Sequence, residues 1–161
     1  MKNARSQAGA ELIAHTVRTL GCAQFRVHGS SMRPWLRSGD LLLVRAEPLS
    51  RIRPGEVVVF ARAGGLFAHR VIGKSRRDGK PVLITKGDAF PEPDAPVCGE
   101  ELLGRVAQVV RGPAGSRRIR LDSVGHRALG KALARVSASS RWWYPGARAL
   151  KRLLVSTARG A

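Results

Sequence analysis

The chain has 161 residues, 43% of them hydrophobic, and a formal net charge of +18. This length suffices for one domain whose core needs no disulfide or metal to fold. The longest apolar runs, at 41–44 and 57–61, fall far short of the roughly 20 residues that a membrane-spanning helix needs. No apolar signal-peptide core follows the N-terminus, so we expect a cytoplasmic protein without a transmembrane anchor.

The first predicted element is a helix over residues 8–21. Four apolar residues recur there at helical spacing and are expected to share its buried face: Leu12, Ile13, Val17 and Leu20. Beyond this helix, frequent glycine and proline divide the sequence into short apolar runs, a pattern typical of many short strands. We predict strands at 24–28, 41–45, 56–62, 66–72, 81–86, 102–111 and 117–121. The predicted fold is therefore mostly β with a short N-terminal helix.

The composition changes after residue 121. Residues 116–161 contain eleven Lys and Arg but a single acidic residue, Asp122. Helical periodicity at 122–139 and 146–156 then predicts two helices. We expect a β domain over residues 1–121 and a basic helical C-terminal tail over residues 122–161.

The end of this tail suggests a partner. Three aromatic residues, Trp142, Trp143 and Tyr144, precede the last predicted helix, whose apolar stripe is flanked by cations. Aromatic anchors beside a basic amphipathic helix are typical of the membrane–water interface. Residues 141–161 therefore favour an anionic membrane surface and a peripheral location on the inner face of the membrane. Packing of this segment on the β domain is the alternative, and no aromatic-interleaved basic motif favours nucleic acid.

A serine in a tight turn is the first candidate for chemistry. Ser31 lies in the segment GSSMRPWL at 29–36, which is closed by Gly39 and Asp40. Glycine allows backbone conformations closed to other residues, so a serine hydroxyl can be presented in such a turn. Serine is a weak nucleophile and needs a base, for which histidine is the usual residue.

The chain offers four histidines as that base. His15 lies in the predicted helix and His126 in the tail, whereas His28 is only three residues from Ser31. His69 interrupts an apolar strand and is followed by several carboxylates: Asp78, Asp88, Glu92 and Asp94. A lone strand histidine is more often structural, so these residues by themselves leave a structural turn and a serine hydrolase both open.

Five stretches, in order, resemble motifs of the type I signal peptidases. Segment 29–36 with Gly39-Asp40 resembles the box that carries their nucleophile. The others are PGEVVVF at 54–60, AHRVIG at 68–73, ITKGDAFPEPD at 84–94 and LGRV at 103–106. The resemblance covers residues 24–111 and implies a catalytic β domain like that of signal peptidases and LexA.

The resemblance also implies roles for individual residues. Ser31 matches the nucleophile, and His69 matches the general base. That base is Lys in most bacterial members and in LexA-like repressors but His in the archaeal and endoplasmic-reticulum branch. Asp94 matches the charge-relay aspartate of the latter branch, and Asp88 matches the aspartate of the Lys-Gly-Asp motif. A histidine base needs a carboxylate to fix its tautomer, and the choice between these two aspartates stays open.

The neighbours of Ser31 are expected to bind the substrate. Ser30 would help the Ser31 N–H to stabilise the oxyanion, and an extended substrate would lie near Met32. Many signal peptidases have a serine at the position of Gly29, whereas the mitochondrial inner-membrane peptidases and the self-cleaving repressors have glycine there.

We therefore predict a serine endopeptidase that cleaves a peptide or precursor protein after small residues. Neither a cofactor nor a metal is expected, because Cys22 and Cys98 match no metal-ligand spacing. One alternative is a LexA-like regulator that cleaves itself, with Ala8–Gly9 as a possible bond. The other is a non-catalytic basic module that binds a membrane surface.

Overall fold

A computed structural model describes residues 2–112 and 117–121, together with the single positions 130 and 132. Up to residue 121, the described part contains one α-helix, a short 3-10 helix and seven strands. Their bounds are α1 (Lys2–Leu20), β1 (Cys22–Arg26), β2 (Leu41–Arg45), the 3-10 helix (Leu49–Arg51), β3 (Val57–Arg62), β4 (Gly65–Arg77), β5 (Lys80–Lys86), β6 (Leu102–Arg111) and β7 (Arg117–Arg120). The mostly β prediction is confirmed. Of the predicted tail helices at 122–139 and 146–156, only Gly130 and Ala132 are described, and both are helical; the other tail positions, including residues 141–161, lie outside the described residues.

The strands form one antiparallel sheet in the order β1-β2-β6-β3-β4-β5, with β7 also paired to β6. Strand β6 serves three partners because it is ten residues long. It pairs with β2 over residues 105–110, with β3 over 102–105 and with β7 over 108–111. The turn after β1 and the strand β4, which are far apart in the sequence, are therefore parts of the same sheet structure.

Strand β3 shows why the core has two halves. Val57 and Val59 belong to one buried cluster, whereas Val58 and Phe60 belong to another. Alternate residues of a strand point to opposite faces, so the unbroken apolar run of β3 reflects burial on both faces. The first cluster also includes residues of α1, β2 and β6; the second includes Ile52, Val71, Leu83 and Val97.

Helix α1 differs from its prediction. It begins at Lys2, and its buried side chains are Ala14 and Val17 with Ile13 packed beside them. Leu12 and Leu20 are 66% and 72% exposed, so their assignment to the buried face was wrong. Successive residues turn by about 100° around a helix, which directs Leu12 away from the Ile13–Val17 stripe, and Leu20 is the last helical residue. In the described part of the chain, no helix combines the length and the apolar content needed to cross a membrane.

Strand β4 is longer than predicted. It continues past residue 72 to Arg77, where Asp78 and Gly79 form the turn into β5. A register shift between Val71 and Gly73 keeps it paired with β5 over this length. The extension and its bulge were not predicted, since the polar residues at 74–77 show no strand pattern.

Candidate active site

Three side chains from separate parts of the chain meet beside the sheet. Ser31 lies between β1 and β2, His69 in β4, and Asp94 between β5 and β6. His69 Nε2 is 3.1 Å from Ser31 Oγ, and His69 Nδ1 is 2.7 Å from Asp94 Oδ2. An ionised carboxylate only accepts hydrogen bonds, so Nδ1–H donates to Asp94 and Nε2 can accept the Ser31 hydroxyl proton. A hydroxyl joined to a base, which is in turn oriented by a carboxylate, is the arrangement of an activated nucleophile.

The turn that carries Ser31 is anchored at both ends. The Val27 N–H donates to the Asp40 carbonyl oxygen at 2.8 Å, and the Gly39 N–H donates to the Val27 carbonyl oxygen at 2.9 Å. Gly29 has a φ of +102°, a left-handed conformation that a serine side chain would strain. This backbone conformation gives a physical reason for glycine at this position.

Asp40 fastens the same turn to β6. Its carboxylate accepts the Arg37 N–H at 2.9 Å and two hydrogen bonds from the Arg111 guanidinium, at 2.8 and 2.6 Å. Burial acts to raise the pKa of Asp40, but the hydrogen bonds from Arg111 and the Arg37 N–H outweigh it and hold the pKa below its ordinary value. The buried carboxylate therefore stays charged and keeps the turn closed.

The two neighbours of Ser31 occupy different surroundings. Ser30 is exposed, and its carbonyl oxygen accepts the Arg33 N–H at 3.1 Å. Met32 is only 3% exposed and belongs to the core, although it also lines the cleft at Ser31. The residue before Ser31 therefore offers its hydroxyl at the surface, whereas the residue after it is buried in the core.

The Lys-Gly-Asp motif packs directly on the Ser31 backbone. The Ala89 N–H donates to the Ser31 carbonyl oxygen at 2.8 Å. A Cβ at Gly87 would lie 2.8 Å from that same oxygen and 3.2 Å from Ser31 Cβ, so only glycine fits this approach. This contact was not predicted from the sequence, although Gly87 in the motif indicates a close approach of two backbone segments.

Asp88 contacts a different residue from the one it was considered for. Its two oxygens accept hydrogen bonds from Arg70 at 2.9 and 2.7 Å, and both side chains are nearly buried. Arg70 also donates to the Gly55 carbonyl oxygen at 2.9 Å. Of the two aspartates between which the sequence left the choice open, Asp94 contacts His69, whereas Asp88 contacts the next residue along β4.

The loop that carries Asp94 is tied to the free edge of β5. The Asp94 N–H donates to the Thr85 carbonyl oxygen at 2.8 Å, and Leu83 and Val97 exchange two backbone hydrogen bonds of 2.9 Å. These bonds place the carboxylate at one position along the strand, opposite His69.

Arg62 holds the same loop from its other side. It donates to the carbonyl oxygens of Ala95 and Pro96 at 3.1 and 2.9 Å and to both oxygens of Glu101 at 2.6 and 2.8 Å. The hydrogen bonds from Arg62 lower the pKa of Glu101 to about 2 despite the opposing effect of burial. Arg62 and Glu101 were not predicted from the sequence, because they lie at the end of β3 and just before β6 and belong to no recognisable motif.

A cleft of about 780 Å³ runs past Ser31 and His69. Its lining is mainly apolar and comes from α1, β1, the turn after β1 and β4; it includes Ile13, Phe25, Val27, Met32, Leu66 and Phe67. Phe67 and Phe90 are 41% and 50% exposed, and their rings meet the His69 ring edge-on at centroid distances of 6.2 and 6.5 Å. The cleft is therefore a mainly apolar surface beside the hydroxyl of Ser31.

The remaining histidines lie apart from this hydrogen-bond chain. His15 is exposed on α1, His28 is exposed at the rim of the cleft, and His126 lies outside the described residues. Within residues 2–112 and the short stretches that follow, no three His, Cys, Asp or Glu side chains gather in a way that could hold a metal ion.

The fold and the site define a mostly β domain in which a serine, a histidine and an aspartate lie in hydrogen-bond contact. Residues 5–107 match the family described as Peptidase S24-like, and the chain belongs to this family. Membership confirms the predicted relationship to the LexA and signal peptidase I-like superfamily and points to a serine peptidase in general. No curated protein matches the chain.

Proposed function

We propose that this protein is a serine endopeptidase of the Ser-His-Asp branch of its superfamily. The observation that carries the proposal is the unbroken hydrogen-bond chain from Ser31 Oγ through the His69 ring to Asp94 Oδ2. In the reaction, Nε2 takes the hydroxyl proton as Oγ attacks the peptide carbonyl carbon. Asp94 stabilises the imidazolium that forms, and His69 then gives the proton to the leaving amine. Water then attacks the acyl carbon while His69 takes a proton from it. The bond to Ser31 Oγ breaks, Oγ takes the proton back from His69, and the carboxylic acid leaves.

The oxyanion is assigned to the backbone beside Ser31. Within the described residues, no protein group accepts a hydrogen bond from the Ser31 N–H, so that donor is available to the developing charge. The exposed Ser30 hydroxyl is the proposed helper, as the sequence predicted. Donors fixed before the reaction stabilise an oxyanion more strongly than water does, because they need no reorganisation.

The proposed substrate is an extended segment of a peptide or precursor protein with a small residue before the scissile bond. It would lie in the apolar cleft over Met32, with Phe67 and Phe90 on either side of His69. Burial of apolar side chains supplies the affinity here, since the lining residues offer few charges. The small-residue preference comes from the family resemblance.

A peptide library digested by the full chain and read by mass spectrometry tests this activity. Ser31→Ala and His69→Ala should each lower kcat by more than about 10³, because members of such a unit act together. Ser75→Ala is the matched control and should leave kcat unchanged, because this serine is exposed near the end of β4 and does not line the cleft. Equal cleavage by wild type and Ser31→Ala would refute the proposal.

Self-cleavage is the second candidate function, and one contact favours it. Gly9 lines the same cleft as Ser31, so the Ala8–Gly9 bond lies close to the site. That bond belongs to α1, and the helix would have to unwind before the bond could be bound in extended form. Incubation at several protein concentrations separates the cases: a self-cleaved Ala8–Gly9 bond appears at a concentration-independent rate and is absent in Ser31→Ala.

An anionic membrane surface remains a proposal for residues 141–161. It is supported by the aromatic and cationic residues of that segment in the sequence. Full-length protein should co-sediment with phosphatidylserine vesicles, less so at high salt, and deletion of 141–161 should abolish this binding. Equal binding by the deleted chain, or none by the full chain, would exclude the segment as a tether.

A further inference from the structure

Thr85 makes a contact that the proposed reaction does not yet use. This residue of β5 is fully buried, and its Oγ1 lies 2.7 Å from Asp94 Oδ2. The same Oδ2 accepts the hydrogen bond from His69 Nδ1, also at 2.7 Å. Because an ionised carboxylate only accepts, the Thr85 hydroxyl donates to it. Two donors from different strands therefore converge on one oxygen.

The main chain adds a second tie between the same two residues. The Asp94 N–H donates to the Thr85 carbonyl oxygen at 2.8 Å, so Thr85 holds both the backbone and the carboxylate of Asp94. The last torsion of an aspartate side chain is broad and roughly two-fold. One hydrogen bond to His69 would leave the carboxylate free to rotate, whereas a second donor to the same oxygen fixes its plane.

We infer that Thr85 is a positioning residue, whose hydroxyl fixes the Asp94 carboxylate so that it orients His69. This inference rests on the proposed function. The Thr85 hydrogen bond would affect kcat indirectly, through His69. A fixed Asp94 carboxylate holds the His69 ring in the one orientation in which Nε2 can take the Ser31 hydroxyl proton. A Thr85 that served packing alone would contribute its methyl group and its β-branched shape, not its hydroxyl.

Two substitutions separate these roles in the full-length chain. Thr85→Val keeps the branched shape and strand preference but removes the donor, whereas Thr85→Ser keeps the donor and removes the methyl group. We expect Thr85→Val to lower kcat by about tenfold or more, the typical effect of one hydrogen bond to a charged group, with KM unchanged. Thr85→Ser should restore most of kcat. Wild-type kcat in Thr85→Val, or an equal loss in both variants, would overturn the inference.

A spectroscopic readout keeps this test independent of the substrate. The proton on His69 Nδ1 in hydrogen bond with Asp94 should give a far-downfield NMR resonance in wild type and Thr85→Ser. In Thr85→Val, we expect this resonance to broaden or disappear while the rest of the spectrum is retained. If Thr85→Val does not fold, Thr85→Ala makes the same comparison.

The two levels of proposal can then fail separately. A wild-type chain that cleaves no peptide refutes the proposed function, yet the resonance still tests whether Thr85 positions Asp94. A cleaving wild type whose kcat and resonance are both unchanged in Thr85→Val refutes only the role of Thr85.

Discussion

At the scale of single residues, two aspartates of one motif have different partners. Asp94 contacts His69, and Asp88 forms a nearly buried ion pair with Arg70. Asp94 follows Asp88 by six positions in a proline-rich loop, so the sequence could not decide between them. Their directions are set by hydrogen bonds from the β5 edge, Arg62 and Arg70, and none of these has a local pattern. Ser31 and His69 could be singled out because each lies within a recognisable motif.

These different contacts predict different effects of an Asp→Asn substitution at the two positions. Asp94→Asn should lower kcat by on the order of 10⁴, because an amide favours the wrong tautomer of His69, with little change in the free energy of unfolding. Asp88→Asn should instead lower the free energy of unfolding by about 3–5 kcal/mol, because Arg70 is left buried without its counter-charge.

Steady-state kinetics and urea unfolding of both variants give the comparison. A catalytic loss in folded Asp88→Asn as large as in Asp94→Asn would reverse the assignment. Asp88→Asn that is as stable as wild type would show that the Arg70 pair does not stabilise the fold.

At the scale of elements, α1 forms one wall of the cleft as well as part of the core. Its Gly9, Ala10 and Ile13 line the cleft, whereas Ala14 and Val17 are buried against the sheet. The apolar spacing of the sequence predicted the helix, but it did not predict that the helix borders the candidate site. That border depends on where the first turns of α1 run over the β4 strand, which no helical period encodes.

Ala10→Leu should therefore narrow the cleft and raise KM for the peptide several-fold or more, with kcat less affected. Alanine and leucine have similar helix propensities, so the helix itself should be retained. Ala8→Leu is the matched control because Ala8 is exposed on the same helix, and we expect its KM to stay within about twofold of wild type. Equal effects of both substitutions would contradict the role of α1 as a wall.

At the scale of the whole molecule, the sheet was the most predictable feature. Alternation and turn residues located each of the seven strands in the described part of the chain, because burial on one or both faces produces a recognisable apolar pattern in the sequence. The order of the strands left no such trace: β6, late in the chain, lies between β2 and β3. Only long-range pairing brings Ser31, His69 and Asp94 together, so the site could be inferred from the family resemblance but not from spacing.

The Arg62–Glu101 pair makes the free energy of unfolding depend on pH in the acid range. The folded-state pKa of Glu101 is about 2, against an ordinary 4.5, so the folded chain binds fewer protons than the unfolded chain between these values. Its contribution is present above about pH 4.5 and is lost as the pH falls towards 2. Glu101→Gln should thus flatten the fall in the free energy of unfolding over this range, measured by urea unfolding. Glu100→Gln is the exposed control, and an equal flattening in that variant would contradict the prediction.

The proposed function requires that His69 activates Ser31 for nucleophilic attack. Its most direct test is the reaction of the full-length chain with a fluorophosphonate probe, with the modified residue identified by mass spectrometry. We predict one adduct, on Ser31, that forms in Ser75→Ala as in wild type and is lost in His69→Ala and Ser31→Ala. An adduct on another residue, or one that forms on Ser31 at the wild-type rate without His69, would contradict the account.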